Sequence, residues 1–314
     1  MKVVVTGGAG FIGSHIVDLL LKNEVEVLVV DDFSSGKREN LDLDHQNLCV
    51  FEADISDSSS IAEMEKFCPD VVFHYAGQIS VGFSMRKPEE DAQQNVIATL
   101  KLLEACRKLQ VKKFLMASSA AVYGDQIYYP TTEEHTQFPH SPYAISKKCC
   151  ETYLEYYGRN SEMQTFALRF SNVYGPRQNA KGESGVVAIF FDCLQSQSPF
   201  TINGDGLQTR DFVFVEDVAR ANWMCVAAEN LPGYNCFNVS SAQETSIIDL
   251  VFLAQEIATK YGLTPLQIKH GKALAGELRR SSLSYENIHN GAGWTPLVTL
   301  AEGLGRTCQY FGNK

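Results

Sequence analysis

Apolar positions fall into two rhythms along this chain, and the rhythms alternate. Short β-type runs occur at Val3–Val5, Val25–Val30, Leu48–Glu52, Val71–His74 and Lys113–Ala117. Between them, helix-type spacing covers Ile12–Lys22, Ser58–Phe67 and the long run Glu89–Leu109. Strand–helix alternation of this kind predicts an α/β fold built on a doubly wound parallel sheet. Such sheets take ligands outside the carboxyl ends of their strands. Gly7, Asp31, Asp54, Gly77 and Ser118-Ser119 all fall at those ends. Another helix opens after Pro142. Past residue 175 come helix-type runs at Gly185–Gln195, Glu216–Glu229, Ser246–Tyr261 and Leu300–Phe311. Strand-type runs there are Phe200–Ile202, Phe212–Val215 and Cys236–Val239. The pattern divides the chain into a Rossmann-type domain, 1–175, and a smaller C-terminal α/β domain, 176–314. Trp223, Met224 and Phe190-Phe191 read as core.

The first turn, Thr6-Gly7-Gly8-Ala9-Gly10-Phe11-Ile12-Gly13, carries the clearest chemistry. Gly8, Gly10 and Gly13 satisfy G-x-G-x-x-G, and Gly7, Gly10 and Gly13 satisfy G-x-x-G-x-x-G. The turn follows a strand and opens a helix, the context that a dinucleotide fingerprint requires. Glycine allows the tight turn, lets backbone approach a pyrophosphate, and lets helix pack closely on strand. Amides at the helix start then hold the phosphate charge. The second strand ends in Asp31-Asp32, about 20 residues on, where an acid accepts bonds from ribose hydroxyls. The plainer alternative is a structural glycine turn with a strand-end acid. Asp54 meets the adenine edge or caps the helix near Ser58. Small residues at Ala76-Gly77, before Gln78, let the chain pass close under a cofactor.

A length of 314 residues suits one large α/β domain and a smaller partner. The net charge of -10 argues against nucleic acid as a ligand. A phosphorylated small molecule stays possible, since amides and a few arginines suffice to hold it. The nine cysteines show neither C-x-x-C nor paired Cys/His spacing, so they point to a reducing compartment and no metal site. No run reaches membrane-spanning length, which suggests a cytoplasmic protein.

Two short segments suit acid–base work. Ser118-Ser119-Ala120-Ala121-Val122-Tyr123-Gly124 follows the fifth strand, and Tyr143-Ala144-Ile145-Ser146-Lys147 opens a helix. Spacing of i, i+4 puts Tyr143 and Lys147 on one helical face. A phenol of pKa about 10 is a poor base at neutral pH. A neighbouring ammonium favours phenolate and lowers that pKa. Ser119 can hydrogen-bond the same substrate hydroxyl, so the three together suit removal of an alcohol proton. The alternative for Tyr143 and Lys147 is an exposed helix pair. What carries weight is the order: glycine turn, acid, serine at a strand end, then tyrosine and lysine.

With these motifs, and with TGGAGFIGSH, FHYAGQISV, ASSAAVYGD, SPYAISK, LRFSNVYGPRQ, GDGLQTRDFVFVEDVARAN and AGELRRS, the chain resembles the extended short-chain dehydrogenase/reductases. Within them it is most similar to the UDP-glucose 4-epimerase group of nucleotide-sugar epimerases, essentially end to end. The resemblance implies resident NAD and a UDP-sugar substrate oxidised transiently at C4. It implies Tyr143 as base, Lys147 as its modulator, and Ser119 beside the sugar hydroxyl. Its cofactor residues would be Gly7, Gly10, Phe11, Ile12, Gly13, Asp31, Asp32, Ser35, Asp54, Ile55, Tyr75, Ala76, Gln78 and Asn95, with Tyr143 and Lys147. Its substrate residues would be Ser119, Tyr143, Asn172, Val187, Arg210, Glu277 and Ser281. Guanidinium matches phosphate oxygens in pairs, which suits Arg210; a surface pair with Asp211 or Glu216 is the alternative. The family also returns 211–238 to the first domain. Other functions compatible with the fold are a net NAD(P)-dependent nucleotide-sugar reductase or dehydrogenase, and a cofactor-binding regulator.

Departures from the pattern narrow the expectation. Related dehydratases and decarboxylases carry an acid where this chain has Ala120 and Ala121, and alanine moves no proton. Some epimerases have a lysine at the position of Ile79. The usual arginine before the late Gly-Glu is Leu274 here. Asp31 favours NAD over NADP, although Lys37 and Arg38 stand near enough in sequence to meet a 2′-phosphate. Ser281 aligns with a pocket position where sugar-restricted members carry tyrosine, so the pocket should admit a 2-acetamido group; otherwise Ser281 merely faces a neighbouring strand. Along Pro142–Tyr157, Tyr143, Lys147, Cys150, Leu154 and Tyr157 form one stripe. Lys148, Glu151 and Glu155 form a polar stripe, and Ile145, Cys149, Tyr153 and Tyr156 form a second apolar one. Glu89–Leu109 likewise has apolar residues beyond one face. The spare faces suggest a homodimer through a four-helix interface, unless the chain's own loops cover them.

Overall fold

A computed structural model describes residues 1–180, 185–273 and 278–312. The strands are β1 (Lys2–Thr6), β2 (Glu26–Asp31), β3 (Leu48–Glu52), β4 (Val71–His74), β5 (Lys113–Ser119), β6 (Gln164–Phe170), β7 (Asn172–Tyr174), β8 (Phe200–Asn203), β9 (Thr209–Phe214), β10 (Tyr234–Val239), β11 (Glu244–Ser246) and β12 (Ile268–Gly271). Seven of them form one sheet in the order β10-β6-β5-β4-β1-β2-β3. Every pairing in it is parallel, with Val3 opposite both Val27 and Val71. The order reverses between β1 and β4, the switch point where open α/β sheets hold ligands.

Side chains alternate across the sheet with a period of two. Val3 and Val5 enter the core beneath helices Phe11–Lys22 and Val215–Ala227. Val4 enters the opposite core, beneath Ser58–Phe67, Ala98–Lys108 and Pro142–Asn160. A third core joins helices Val186–Ser196, Ile247–Lys260 and Leu300–Gly312 to β8 and β9. Small sheets β11-β9-β7 and β12-β8 complete this part. Phe190 and Phe191 are buried there, and Trp223 and Met224 pack against the first core. The two parts interweave. β10 pairs with β6, and Ile288 and Trp294 lie in the core under Phe11–Lys22.

Several sequence expectations change. β6 went unrecognised, because Arg169 interrupts its apolar run; its aliphatic face is nonetheless buried. The Glu89–Leu109 run is helical as far as Lys108 but changes winding, with a π segment at Gln93–Ile97 between Pro88–Ala92 and Ala98–Lys108. Both apolar stripes of its second half are used inside the chain. Ala98, Leu102, Leu103 and Cys106 are buried in one cluster with strand residues and with Cys150, Leu154 and Tyr157. Glu151 is not on a solvent stripe either; it is buried in an ion pair with Arg169. Every cysteine is a free thiol. No helix among the described residues is long and apolar enough to cross a membrane.

Candidate active site

The first glycine turn is packed too closely for a side chain at Gly7, Gly8 and Gly13. Gly7 has a φ of 67°, and a Cβ there would lie 2.5 Å from the Ala76 amide nitrogen. A Cβ on Gly13 would lie 2.2 Å from the Gly7 carbonyl oxygen. The turn therefore rests directly on the segment after β4. Phe11, Ile12 and Gly13 occupy the first helical turn, whose amides have no acceptor within the helix. That is a cradle suited to a pyrophosphate.

Asp31 is buried at the end of β2. Its carboxylate accepts from Ala9 N at 2.8 Å and Phe33 N at 2.9 Å, and burial raises its pKa. It thus ties the turn to β2, and a carboxylate keeps lone pairs for further donors. Asp32 is exposed and accepts from the Ser34 amide and hydroxyl at 2.9 and 2.6 Å; Ser35 follows in the exposed loop. Arg38 pairs with Glu52 and stands 4.5 Å from the Phe33 ring centroid, while Lys37 meets Glu39 at 3.5 Å. Both cations already have carboxylate partners, so this rim suits a free ribose better than a 2′-phosphate. Asp54 does not cap the next helix. Asp57 holds the N-cap position, and Asp54 accepts from Ser56 N at 2.7 Å. Ile55 is buried beside Asp54.

Beyond β4, Tyr75 stacks on Phe170 at 6.2 Å and donates to Asn222 at 2.7 Å. The Ala76 amide donates to Thr6 Oγ1 at 3.3 Å. Asn95 Nδ2 donates to the Gln78 carbonyl at 3.0 Å and to Asp91 Oδ1 at 3.1 Å. Gln78 Nε2 also donates to Asp91 Oδ1, at 2.6 Å, and Ser146 Oγ donates to Asp91 Oδ2 at 2.6 Å. Asp91 is fully buried. It joins the loop after β4, the π segment and the helix that carries Tyr143. Sequence reasoning missed it, because a carboxylate early in a helix reads as a solvated face.

That helix begins where Ser141 accepts from Ala144 N at 3.2 Å, with Pro142 at its first position. Tyr143 is half-buried, and Lys147 is buried with Nζ 5.8 Å from the Tyr143 ring centroid. Lys147 Nζ donates to the Ala117 carbonyl at 3.1 Å, so the pair is not an exposed one. The helix packs against β5 and against the 3-10 turn Ala120–Tyr123 that follows Ser119. Ser119 Oγ accepts from Ala121 N at 3.2 Å and holds that turn. His74, beside this group, lies between Thr6 Oγ1 at 2.8 Å and Thr99 Oγ1 at 2.9 Å; burial lowers its pKa to about 3.

The remaining expected residues lie across the C-terminal part. Asn172 is exposed at the start of β7, opposite Phe212 of β9. The Val187 side chain is buried in the third core, so only its backbone, in the first turn of Val186–Ser196, is available to a ligand. Arg210 Nη1 donates to the Thr209 and Leu278 carbonyls, each at 2.8 Å. Its suggested surface partners are engaged elsewhere: Asp211 with Ser241, Ala242 and Leu283, and Glu216 with Arg306. Ser281 is buried and accepts from Gln126 Nε2 at 3.2 Å; Gln126 Oε1 accepts from Ser282 N at 3.1 Å. Gln126 escaped the sequence reading, since nothing in spacing links positions 126 and 281. Leu274 and Glu277 lie outside the described residues.

Residues 3–240 match the NAD dependent epimerase/dehydratase family. The chain is 42% identical over 318 residues to a UDP-glucose 4-epimerase of Mycolicibacterium smegmatis, covering 100% of this chain and 99% of that one. A crystal structure of UDP-glucose 4-epimerase with UDP-glucose from Thermotoga maritima superposes with a TM-score of 0.91. It is 41% identical, with 100% of this chain and 99% of that one covered. A UDP-N-acetylglucosamine 4-epimerase from Methanobrevibacter ruminantium M1, in complex with UDP-N-acetylmuramic acid, gives a TM-score of 0.93 at 33% identity, with 99% and 98% covered.

Proposed function

The chain belongs to the NAD-dependent epimerase/dehydratase family and is a UDP-glucose 4-epimerase-like isomerase with NAD as its cofactor; from that premise we propose that it interconverts UDP-glucose and UDP-galactose at C4. We extend the proposal to their 2-acetamido forms. The observation that carries the reaction is the buried Lys147 beside Tyr143, on a helix packed against the turn of Ser119, with alanine at positions 120 and 121. Neither alanine can protonate a leaving group, which speaks against dehydration.

Bound NAD supplies reversible two-electron oxidation of the sugar carbon. The chain's residues handle the proton and the position. Tyr143, beside the Lys147 ammonium, takes the proton of the 4-hydroxyl and later returns it. Ser119 hydrogen-bonds the same oxygen. Arg210 and the backbone at Val187 hold the diphosphate, with Asn172 and Glu277 along the nucleotide, so that the hexose can present either face. The amides after Gly10 hold the cofactor pyrophosphate, and Asp31 and Asp32 meet its adenosine ribose. Ser35, Asp54, Ile55, Tyr75, Ala76, Gln78 and Asn95 line the rest of its length.

Ser281 supports the acetamido reading, being small and offering a hydroxyl, as does the likeness to a UDP-N-acetylglucosamine 4-epimerase. We assign 1–175, with the returning 211–238, to NAD and 176–314 to the sugar nucleotide. We place the protein in the cytoplasm, which agrees with nine free thiols.

The decisive experiment gives purified protein UDP-sugars and no added cofactor. Epimer formation is expected, and Tyr143→Phe should retain bound NAD while losing about 10²–10⁴ in kcat. Turnover that appears only on adding NADH or NAD would favour a reductase or dehydrogenase instead.

A further inference from the structure

Directly beneath the proposed catalytic groups lies a buried ion pair that the reaction itself does not use. Glu151 sits on the Pro142–Asn160 helix, and Arg169 sits on β6, opposite Ser118 of β5. Both are almost wholly buried. Arg169 Nε donates to Glu151 Oε1 at 2.9 Å, and Nη2 donates to Oε2 at 2.7 Å. Ser118 Oγ donates to the same Oε1 at 2.5 Å. Arg169 Nη1 donates to Tyr123 OH at 2.9 Å, and that hydroxyl donates to Asn238 Oδ1 at 2.7 Å.

The consequence is geometric. Ser118 immediately precedes Ser119, and Tyr123 ends the short turn that follows it. Both flanks of Ser119 therefore hang from one ion pair. Glu151 lies one helical turn beyond Lys147, about 40° round the helix from it, and about 80° from Tyr143. The helix is thus fastened to β5 at two successive rungs, Lys147 to Ala117 and Glu151 to Ser118. It cannot slide or roll along the strand without breaking both. Net stability is a poor reason for such a pair, because an apolar replacement of similar volume is often as stable. A rigid, forked link between three elements is what apolar packing cannot supply.

We propose that Glu151 and Arg169 are positioning residues, which set the separation of Ser119 and Tyr143 at the reacting sugar oxygen. The proposal rests on the epimerase reading above. Its loss should therefore appear in kcat, with substrate affinity and cofactor content untouched.

The test uses the full chain and two mild variants that leave the ion pair in place. Ser118→Ala cuts the link to β5, and Tyr123→Phe cuts the link to the turn. Each should lower kcat for UDP-glucose roughly ten- to a hundredfold, the sensitivity expected of a small misplacement. KM, bound NAD and Tm should stay near wild type, and Ser118→Thr, which restores the hydroxyl, should recover most of kcat. Wild-type kcat in both Ser118→Ala and Tyr123→Phe would overturn the proposal. So would parallel losses in kcat, KM, NAD content and Tm, which signal a merely structural role. Tyr143→Phe is assayed alongside. If it stays active, the site reading itself has failed; if it is dead while the two variants are unimpaired, only the positioning idea has.

Discussion

We propose that Ser281 sets the range of sugars the pocket admits. It is buried, its hydroxyl accepts from Gln126, and it is far smaller than a phenol. Ser281→Tyr would fill the space proposed for the C2 substituent and leave the C4 chemistry alone. The expected result is a roughly hundredfold fall in kcat/KM for the acetamido pair, with the plain hexose pair spared. Wild-type enzyme that turns over only the plain hexoses would remove the pocket argument. At this scale the proximity of Tyr143 and Lys147 was legible because a local motif carries it. Ser119, Tyr143 and Lys147 sit in two short segments, and Lys147 is buried beside Tyr143 as the i, i+4 spacing requires. Glu151 was not legible, although it lies only four residues beyond Lys147. A carboxylate normally faces water, and the partners that pay for its burial come from positions 118 and 169.

Asp211 is better understood as a joint between elements than as a residue. It is fully buried on β9 and accepts from Ser241 N at 2.8 Å, Ser241 Oγ at 2.7 Å, Ala242 N at 3.1 Å and Leu283 N at 3.2 Å. The end of β10 and the segment next to Ser281 are thereby fastened to the strand of Arg210. Burial pushes its carboxyl up to about 6 against those bonds. Because the folded value exceeds the unfolded one, folding favours the protonated form. That contribution is full below the unfolded carboxylate range, about 4, and is lost as pH rises through about 6. Asp211→Asn removes the dependence, so its Tm relative to wild type should climb between about pH 4 and pH 6 and level off above that. Parallel Tm-versus-pH curves would contradict this. The π segment at Gln93–Ile97 is a second joint, with Asn95 held between Gln78 and Asp91. Such insertions often mark functional sites. Apolar periodicity foretold a helix there but not its change of winding, because one extra residue in a turn barely disturbs the pattern.

For the whole molecule, a homodimer remains our proposal, on a narrower footing than the sequence suggested. The Ala98–Lys108 helix spends both apolar stripes inside the chain. The Pro142–Asn160 helix still presents Ile145 and Tyr156, exposed at 54% and 60%, with Ile97 at 39% on the neighbouring helical run. Sedimentation at micromolar concentration should give a dimer, and Ile145→Glu should shift it toward monomer, since a charge there would have to be desolvated. A monomeric wild type would end the proposal. The sequence by itself determined the strand–helix alternation, the parallel sheet, the glycine turn and the tyrosine–lysine pair. Each is encoded within a few neighbouring residues, through backbone geometry or helical period. Only the tertiary structure decided that β10 joins β6, that Trp294 packs beneath the first helix, and that Glu151 meets Arg169 and Ser118. These depend on contacts between distant positions, and no local spacing records which buried polar group will find which partner.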